Sequence, residues 1–370
     1  MSISFEIVAK LRTTKDTDSF KAMEIRDFDS GWQNTRYRFN AISDNNRFRL
    51  EIGGGKWADD KKNKIVTFAK AEPGKKMQRM DVQWEDRKKP EVIEQVAGFR
   101  IYTCNLLTYD ERKALEEEGK AEDAKKKNHQ FLEKTEFAAL VKKVIDSGKY
   151  NDAKFRILGT VEFQYSAKDN RFYRTLSVDK IYKVADDTPC KAEMTINAFY
   201  TDGAVDAESY EDNKKYFFNC YTDHYFSAVK ENRFVPMTLV INGNSDEKKA
   251  NAFKKMFEKF DDDATVRKIG LVCQMIDGAE SVAVTYDDLD EDTRDNVDMG
   301  LISLEDAIKS VGGTMAGNHI SEYRVQSLAR NSAKGSEPTV FTEDDLKKLP
   351  VVEDVEEVVD LFGDEDDDGI

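Results

Sequence analysis

The chain has 370 residues, 39% of them hydrophobic and 35% charged, with a formal net charge of −15. An aromatic share of 11% supplies material for real cores and excludes a chain disordered throughout. No run reaches the ~20 apolar residues of a membrane-spanning helix, and the opening Met1-Ser2-Ile3-Ser4-Phe5-Glu6 lacks an export pattern.

The charge is unevenly divided. Between Glu343 and Ile370, thirteen Asp and Glu stand against two Lys, a net −11 that leaves −4 for the rest. The window from Gly31 to Met80 sums to +7. Such asymmetry predicts a basic binding surface and an acidic interaction tail. Cys104, Cys190, Cys220 and Cys273 form no CxxC pair. Free thiols in a reducing cytoplasm are the expectation.

Residues 1–110 read as a β domain with a basic hairpin. Phe5, Ile7, Ala9 and Leu11 recur at period two. Tyr37, Phe39 and Ala41 alternate with Arg36, Arg38 and Asn40. After Ser43-Asp44-Asn45-Asn46, a turn composition, Phe48, Leu50 and Ile52 alternate with Arg47, Arg49 and Glu51. In that register Ile42 faces Arg47 and Asn40 faces Arg49. The apolar set then lies on one face and four arginines on the other.

Residues 111–150 read as a charged helical insertion. Its end carries Phe137, Leu140, Val141, Val144 and Ile145 at helical spacing, with Gly148 placed to stop the helix. A second β-rich domain is expected over 151–285, opening on the alternation from Phe155 to Tyr165. Further strands follow near Tyr216–Tyr221, Val235–Ile241 and Ile269–Met275. A helix carrying Ala250, Phe253, Met256, Phe257 and Phe260 lies between the last two. Phe39, Asn46, Arg47 and Phe48 recur as Phe163, Asn170, Arg171 and Phe172, a short internal repeat compatible with a duplicated barrel. Residues 286–342 read as helical or irregular, with Ser303 and Asp306 starting a helix. Residues 343–370 form the flexible acidic tail. The fold class is therefore mainly β with α insertions (α+β).

Catalytic patterns are missing. His129, His224 and His319 lack metal-ligand spacing, and no GxSxG or Walker A motif occurs. Gly53-Gly54-Gly55-Lys56 has no Ser or Thr after the lysine, and is expected as a loop after a strand. The sequence thus predicts a binding protein with no catalytic residue, no cofactor and no metal. The basic window supplies the candidate site. Arg36, Arg38, Arg47, Arg49, Lys56, Lys61, Lys62 and Lys64 are placed to follow a phosphate backbone. Trp32, Trp57 and Tyr173 are the stacking platforms. Cations with aromatic platforms are what holding a single strand without sequence preference requires. The competing reading is a solvated sheet face with its tryptophans in a core.

With Ser30-Gly31-Trp32 and the Arg hairpin, the β-region Phe155 to Val184 and the acidic ending, the chain resembles phage-encoded single-stranded DNA-binding proteins of the OB-fold type. The resemblance implies an OB-like β-barrel body, binding single-stranded DNA across its sheet face. It also implies that Leu361, Phe362, Asp364, Glu365, Asp366, Asp367, Asp368 and Ile370 recruit replication or recombination proteins. This sequence departs from the bacterial ending, which is aromatic and preceded by Pro. The alternative function is an acidic interaction or DNA-mimic module that binds a basic protein.

Overall fold

Alternating apolar residues set the architecture. In the computed structural model, which describes residues 3–17, 20–71, 74–208, 210–260, 265–283, 285–310 and 314–351, strand β1 (Ser4–Thr13) buries Phe5, Ile7, Ala9 and Leu11. The tail residues Leu361, Phe362, Asp364, Glu365, Asp366, Asp367, Asp368 and Ile370 lie outside the described residues.

Strands β2 (Met23–Asp27), β3 (Trp32–Ser43) and β4 (Asn46–Trp57) follow. β3 and β4 form the basic hairpin in the expected register, Ile42 opposite Arg47 and Asn40 opposite Arg49. The turn is Asp44-Asn45, with Asp44 at φ 50°. Tyr37, Phe39, Phe48, Leu50 and Ile52 are all buried. β5 (Lys64–Phe68) and β6 (Arg79–Gln83) make a separate two-stranded sheet. It covers a small core of Val82, Ile93, Val96, Ile101 and Leu132.

Short elements then lead back to the main sheet: α1 (Pro90–Ile93), β7 (Tyr102–Asn105), α2 (Tyr109–Glu117), α3 (Ala121–Lys125) and β8 (Asn128–Phe131). Helix α4 (Lys134–Asp146) follows, capped by the Glu133 side chain, which accepts from the N–H groups of Thr135 and Glu136. It buries Phe137, Val141, Val144 and Ile145 of the stripe its spacing predicts, with Ala138 beside them and Leu140 half-buried.

β9 (Lys154–Ser166) and β10 (Arg171–Lys183) form the next hairpin. Beyond them come β11 (Lys191–Tyr200), β12 (Val205–Asp206), α5 (Tyr210–Asn213), β13 (Lys215–Phe226) and β14 (Glu231–Asn242). Helix α6 (Glu247–Phe257) buries Ala250, Phe253 and Phe257. The long β15 (Arg267–Ala283), α7 (Glu291–Asp298), α8 (Leu304–Ser310) and β16 (Thr314–Leu328) complete the body. The Ser303 hydroxyl accepts from the Asp306 N–H at 3.1 Å and starts α8 as expected.

The pairings close two circuits. In the first, β1 pairs with β3, β3 with β4, β4 with β10, β10 with β9, and β9 with β1. Only β4–β10 is parallel. In the second, β11 pairs with β13, β13 with β14, β14 with β16, β16 with β15, and β15 with β11. Only β14–β16 is parallel. A helix precedes the fourth strand in both cases, α4 before β9 and α6 before β15. β1 and β11 join the circuits edge to edge, Ile7 opposite Ala192. Ile7 also faces Ile157, and both are fully buried. Each such side chain contributes roughly 1.5–3 kcal/mol.

The chain is therefore β-rich with helices, in one large hydrogen-bonded sheet system. Three details differ from the sequence reading. β9 and β10, expected to open a second domain at 151, are bonded into the circuit of β1, β3 and β4. The short repeat thus relates two hairpins of one circuit, not two units. Gly53-Gly54-Gly55-Lys56 is not a loop but part of β4. Finally, the region read as helical or irregular contains β16, fifteen residues long. No described helix is long and apolar enough to cross a membrane. All four cysteines are free, and burial pushes the Cys104 thiol up to about 12.

Candidate nucleic-acid interface

The outer face of the β3–β4 hairpin carries its arginines because strand alternation turns the apolar set inward. Arg47 and Arg49 are exposed, while Arg36 and Arg38 are half-buried. Arg38 is held by carboxylates. Its Nε donates to Glu51 Oε2 at 2.9 Å and its Nη1 to Glu24 Oε2 at 3.2 Å. Burial pushes the Glu24 carboxyl up, but Arg26 and Arg38 together outweigh it and hold the group below its usual range. The guanidinium groups of Arg38 and Arg49 lie 5.4 and 5.1 Å from the Phe20 ring centroid. Such contacts orient a cation without neutralising it.

A cleft of about 760 Å³ opens between this face, β9, β10 and the β15–β16 pair. Arg36, Arg38, Arg49 and Tyr173 line it, joined by Arg174 and Tyr323. Tyr173 is 46% exposed. Its hydroxyl donates to Asp169 Oδ2 at 2.8 Å, which fixes the ring at the rim. Arg174 lies 4.8 Å from the centroid of Tyr323, across the gap between the two circuits. Glu51, Glu162 and Asp277 also reach the cleft, so its cations are interleaved with acid.

A second pocket of about 350 Å³ gathers all three tryptophans of the chain, Trp32, Trp57 and Trp84, with Tyr102, Lys62 and Lys64. Trp32 and Trp57 are opposite partners at the open end of the hairpin. They meet edge to face, with centroids 5.3 Å apart at 77°. Lys62 Nζ stands 5.6 Å from the Trp57 ring. Gly55 leaves room for Trp32 to fold over β4, since a Cβ there would sit 2.2 Å from the ring as placed. A Cβ on Gly54 would meet Lys134 Cβ at 2.7 Å, so this glycine lets the start of α4 approach the strand. Trp84 is almost fully buried beneath Arg87, 4.0 Å from its ring, and the described residues give its indole N–H no acceptor.

Gly54 and Lys134 line both cavities. The cleft and the tryptophan pocket therefore adjoin along the hairpin. Lys134 Nζ donates to Ser177 Oγ at 3.0 Å, lies 3.3 Å from Asp179, and stands 5.3 Å from the Tyr102 ring. Of the residues singled out by sequence, Arg36, Arg38, Arg49 and Tyr173 share the cleft, and Trp32, Trp57, Lys62 and Lys64 share the pocket. Arg47, Lys56 and Lys61 line neither; Lys61 sits in a short 3-10 turn whose N–H donates to the Asp59 side chain.

No protein-family model matches this sequence, and curated proteins give no match. Among solved structures, the chain is similar to the wild-type single-stranded DNA binding protein from Thermus aquaticus. That alignment has a TM-score of 0.30 and 6% identity, covering 75% of this chain and 85% of that one. A deletion mutant of the same protein aligns with a TM-score of 0.31 and 7% identity, over 75% of this chain and 87% of that one.

Sequence reasoning missed Lys134, Arg174 and Tyr323. Lys134 was masked by the surrounding run of charge in 111–134. Tyr323 sits on β16, which was not read as a strand. Arg174 follows Tyr173 directly, and simple alternation assigns it to the opposite face.

The two circuits also meet at His224 on β13. Its Nε2 accepts the Phe163 N–H of β9 at 3.5 Å, and its ring packs edge-on against Phe163 and Phe226. Burial lowers its pKa, and Glu162 and Asp223 offset this only in part. The neutral ring is thus the folded form. A histidine whose folded pKa is depressed gives stability that is present above its unfolded value, ~6.5, and lost as pH falls through the folded value. The melting temperature is expected to drop as the pH falls below ~6.5, and His224→Gln should flatten that slope. A parallel slope in the variant would exclude His224 as its source.

Proposed function

We propose that this chain binds single-stranded DNA without sequence preference, along the cleft and into the tryptophan pocket, and that it performs no chemistry on it. The observation that carries this reading is the adjoining pair of cavities on one hairpin. Cations from several strands line the first, and aromatic rings beside lysines line the second. Phosphates need the former and unstacked bases the latter. A duplex presents no free base faces.

The order of each circuit supports reading it as an OB-like barrel, a five-stranded Greek-key architecture that binds oligonucleotides on its sheet face. On this reading the body is duplicated, with units at about 1–183 and 191–342. A place in phage replication or recombination, and partner recruitment by Leu361, Phe362, Ile370 and the acidic run, are extensions drawn from the sequence resemblance.

Titration with oligo(dT), followed by tryptophan fluorescence, tests the reading. Binding should weaken with salt, and duplex of equal length should compete poorly. Arg49→Ala should leave folding intact, since the side chain is exposed. The variant's salt slope should shrink by about 0.7 for each phosphate that is no longer neutralised. Arg38 is excluded from the test because its carboxylate pairs make it part of the fold. Equal affinity for duplex, or an unchanged slope in the folded variant, would overturn the assignment.

A further inference from the structure

Two exposed surfaces lie at opposite ends of the β3–β4 hairpin and complement each other in both hydrophobicity and charge. The first belongs to the segment that links β15 to β16. α7 and α8 pack around Leu289 and Ala307, a small core of their own. That core leaves Met299, Leu301 and Leu304 outside, 65%, 72% and 40% exposed. Three large apolar side chains within six residues make a patch rather than scattered singles. The segment from Thr285 to Ser310 that carries them has nine carboxylates against only Arg294 and Lys309.

The second surface is the outer face of the β5–β6 sheet. Val66 and Phe99 are 52% and 56% exposed. Phe68 and Phe99 lie with centroids 6.3 Å apart, and the Arg100 guanidinium stands 5.2 and 5.4 Å from the two rings. From Lys64 to Gln83 the chain has five cations and two carboxylates, of which Asp81 pairs with Lys64 and Arg79. Lys70, Lys76 and Arg79 are exposed there. This face is apolar and aromatic inside a basic rim, the counterpart of the first.

The fold keeps the two apart. The β15–β16 pair crosses the hairpin turn, where Gly278 pairs with Asn46 and the Asp277 N–H donates to Asn46 Oδ1 at 3.0 Å. From there β15 runs on to Ala283 before the acidic segment begins. The β5–β6 sheet is attached at the other end of β4, beyond Trp57. Eleven residue steps of strand separate Asn46 from Trp57, about 36 Å at ~3.3 Å each. One molecule's acidic patch therefore cannot reach its own basic patch.

We infer that the Met299–Leu304 patch of one molecule docks on the Phe68–Phe99 face of a second copy, a head-to-tail contact that continues from copy to copy. Two different surfaces in contact form a heterologous interface, which propagates as an open row unless its rotation closes. Because the hairpin face lies between the two patches, a row of copies sets one cleft after another along its length. The contact needs no DNA, so it stands or falls separately from what fills the cleft.

Sedimentation of the DNA-free full-length chain tests this. At low salt the average mass should rise with concentration well above the 42.3 kDa of one chain, and added salt should reverse the rise. Met299→Glu with Leu301→Glu alters only the acidic patch, and Phe99→Glu only the basic face. Each variant alone should lose association by about tenfold or more, as expected for a carboxylate forced into an apolar contact. Mixed, the two retain one intact surface each and should form one-to-one pairs that grow no further. Circular dichroism of each variant establishes that it is folded. A monomeric wild type, a mixture that fails to pair, or a Phe99→Glu variant that still associates would each overturn the proposal. Binding of a short oligo(dT) by the Met299/Leu301 variant should stay unchanged, and it reports on the cleft independently.

Discussion

Trp57→Ala is expected to weaken oligo(dT) binding by about 1–3 kcal/mol, a factor of ~5 to ~150 in affinity. Trp57 is only half-buried and meets Trp32 edge to face. Lys62 Nζ lies over the ring, 5.6 Å from its centroid, and would be free to shift to a phosphate when a base stacks there. Trp84 provides the contrast. It is buried under Arg87, so Trp84→Ala should act through stability, with a cost of roughly 3–5 kcal/mol for a core tryptophan. Gly55→Ala gives a third arm. The added methyl meets the Trp32 ring, a side chain able to swing aside, so folding should survive while the pocket is disturbed. Melting temperature and affinity measured on the same samples separate these effects. If Trp57→Ala lowers the melting temperature while the folded fraction binds normally, the ring is packing and not a platform.

The hairpin was legible in the sequence because one side of it is a core. The inward Tyr37, Phe39, Ala41, Phe48, Leu50 and Ile52 are apolar and, Ile42 apart, the outward residues from Arg36 to Glu51 are polar, so period and register can be read from the pattern. The same holds for β1, β9, α4 and α6. Elements exposed on two sides left no such record. β16 carries Ile320, Tyr323, Val325 and Leu328 among polar residues, with no sustained period of two, because part of it pairs only with β15 beyond the second circuit. β2 has no fully buried residue. Pairing between distant strands was equally hidden. Nothing in the Phe155–Tyr165 alternation says whether its neighbour is β1 or a later strand. The site was read in part for the same reason. The cations and tryptophans of one continuous stretch were visible, whereas Lys134, Arg174 and Tyr323 join them only through long-range pairing.

That long-range pairing has a vulnerable point at Gly159 on β9. Gly159 faces Phe5 of β1 on one side and Val178 of β10 on the other. The β9–β10 register shifts just beyond it, between Val178 and Lys180. A Cβ at Gly159 would lie 2.0 Å from the Ser177 carbonyl oxygen and 2.7 Å from the Phe5 ring. The ring can adjust, but the carbonyl belongs to the backbone of β10, and moving it disturbs the ladder. Gly159→Ala should therefore cost about 1–3 kcal/mol or more, the range for overpacking a tight interior, and Gly159→Val should cost more still. Gly98→Ala is the matched control, since a Cβ there has nothing within 4 Å, and its denaturation midpoint should stay close to the wild type. The consequence reaches the cleft, because Tyr173, Arg174 and Thr175 are presented by β10 just ahead of the strained carbonyl. Denaturant midpoints for the three variants decide the matter. If Gly159→Ala is as stable as the wild type, β1, β9 and β10 do not close as described, and the wall of the cleft built on β10 loses its support.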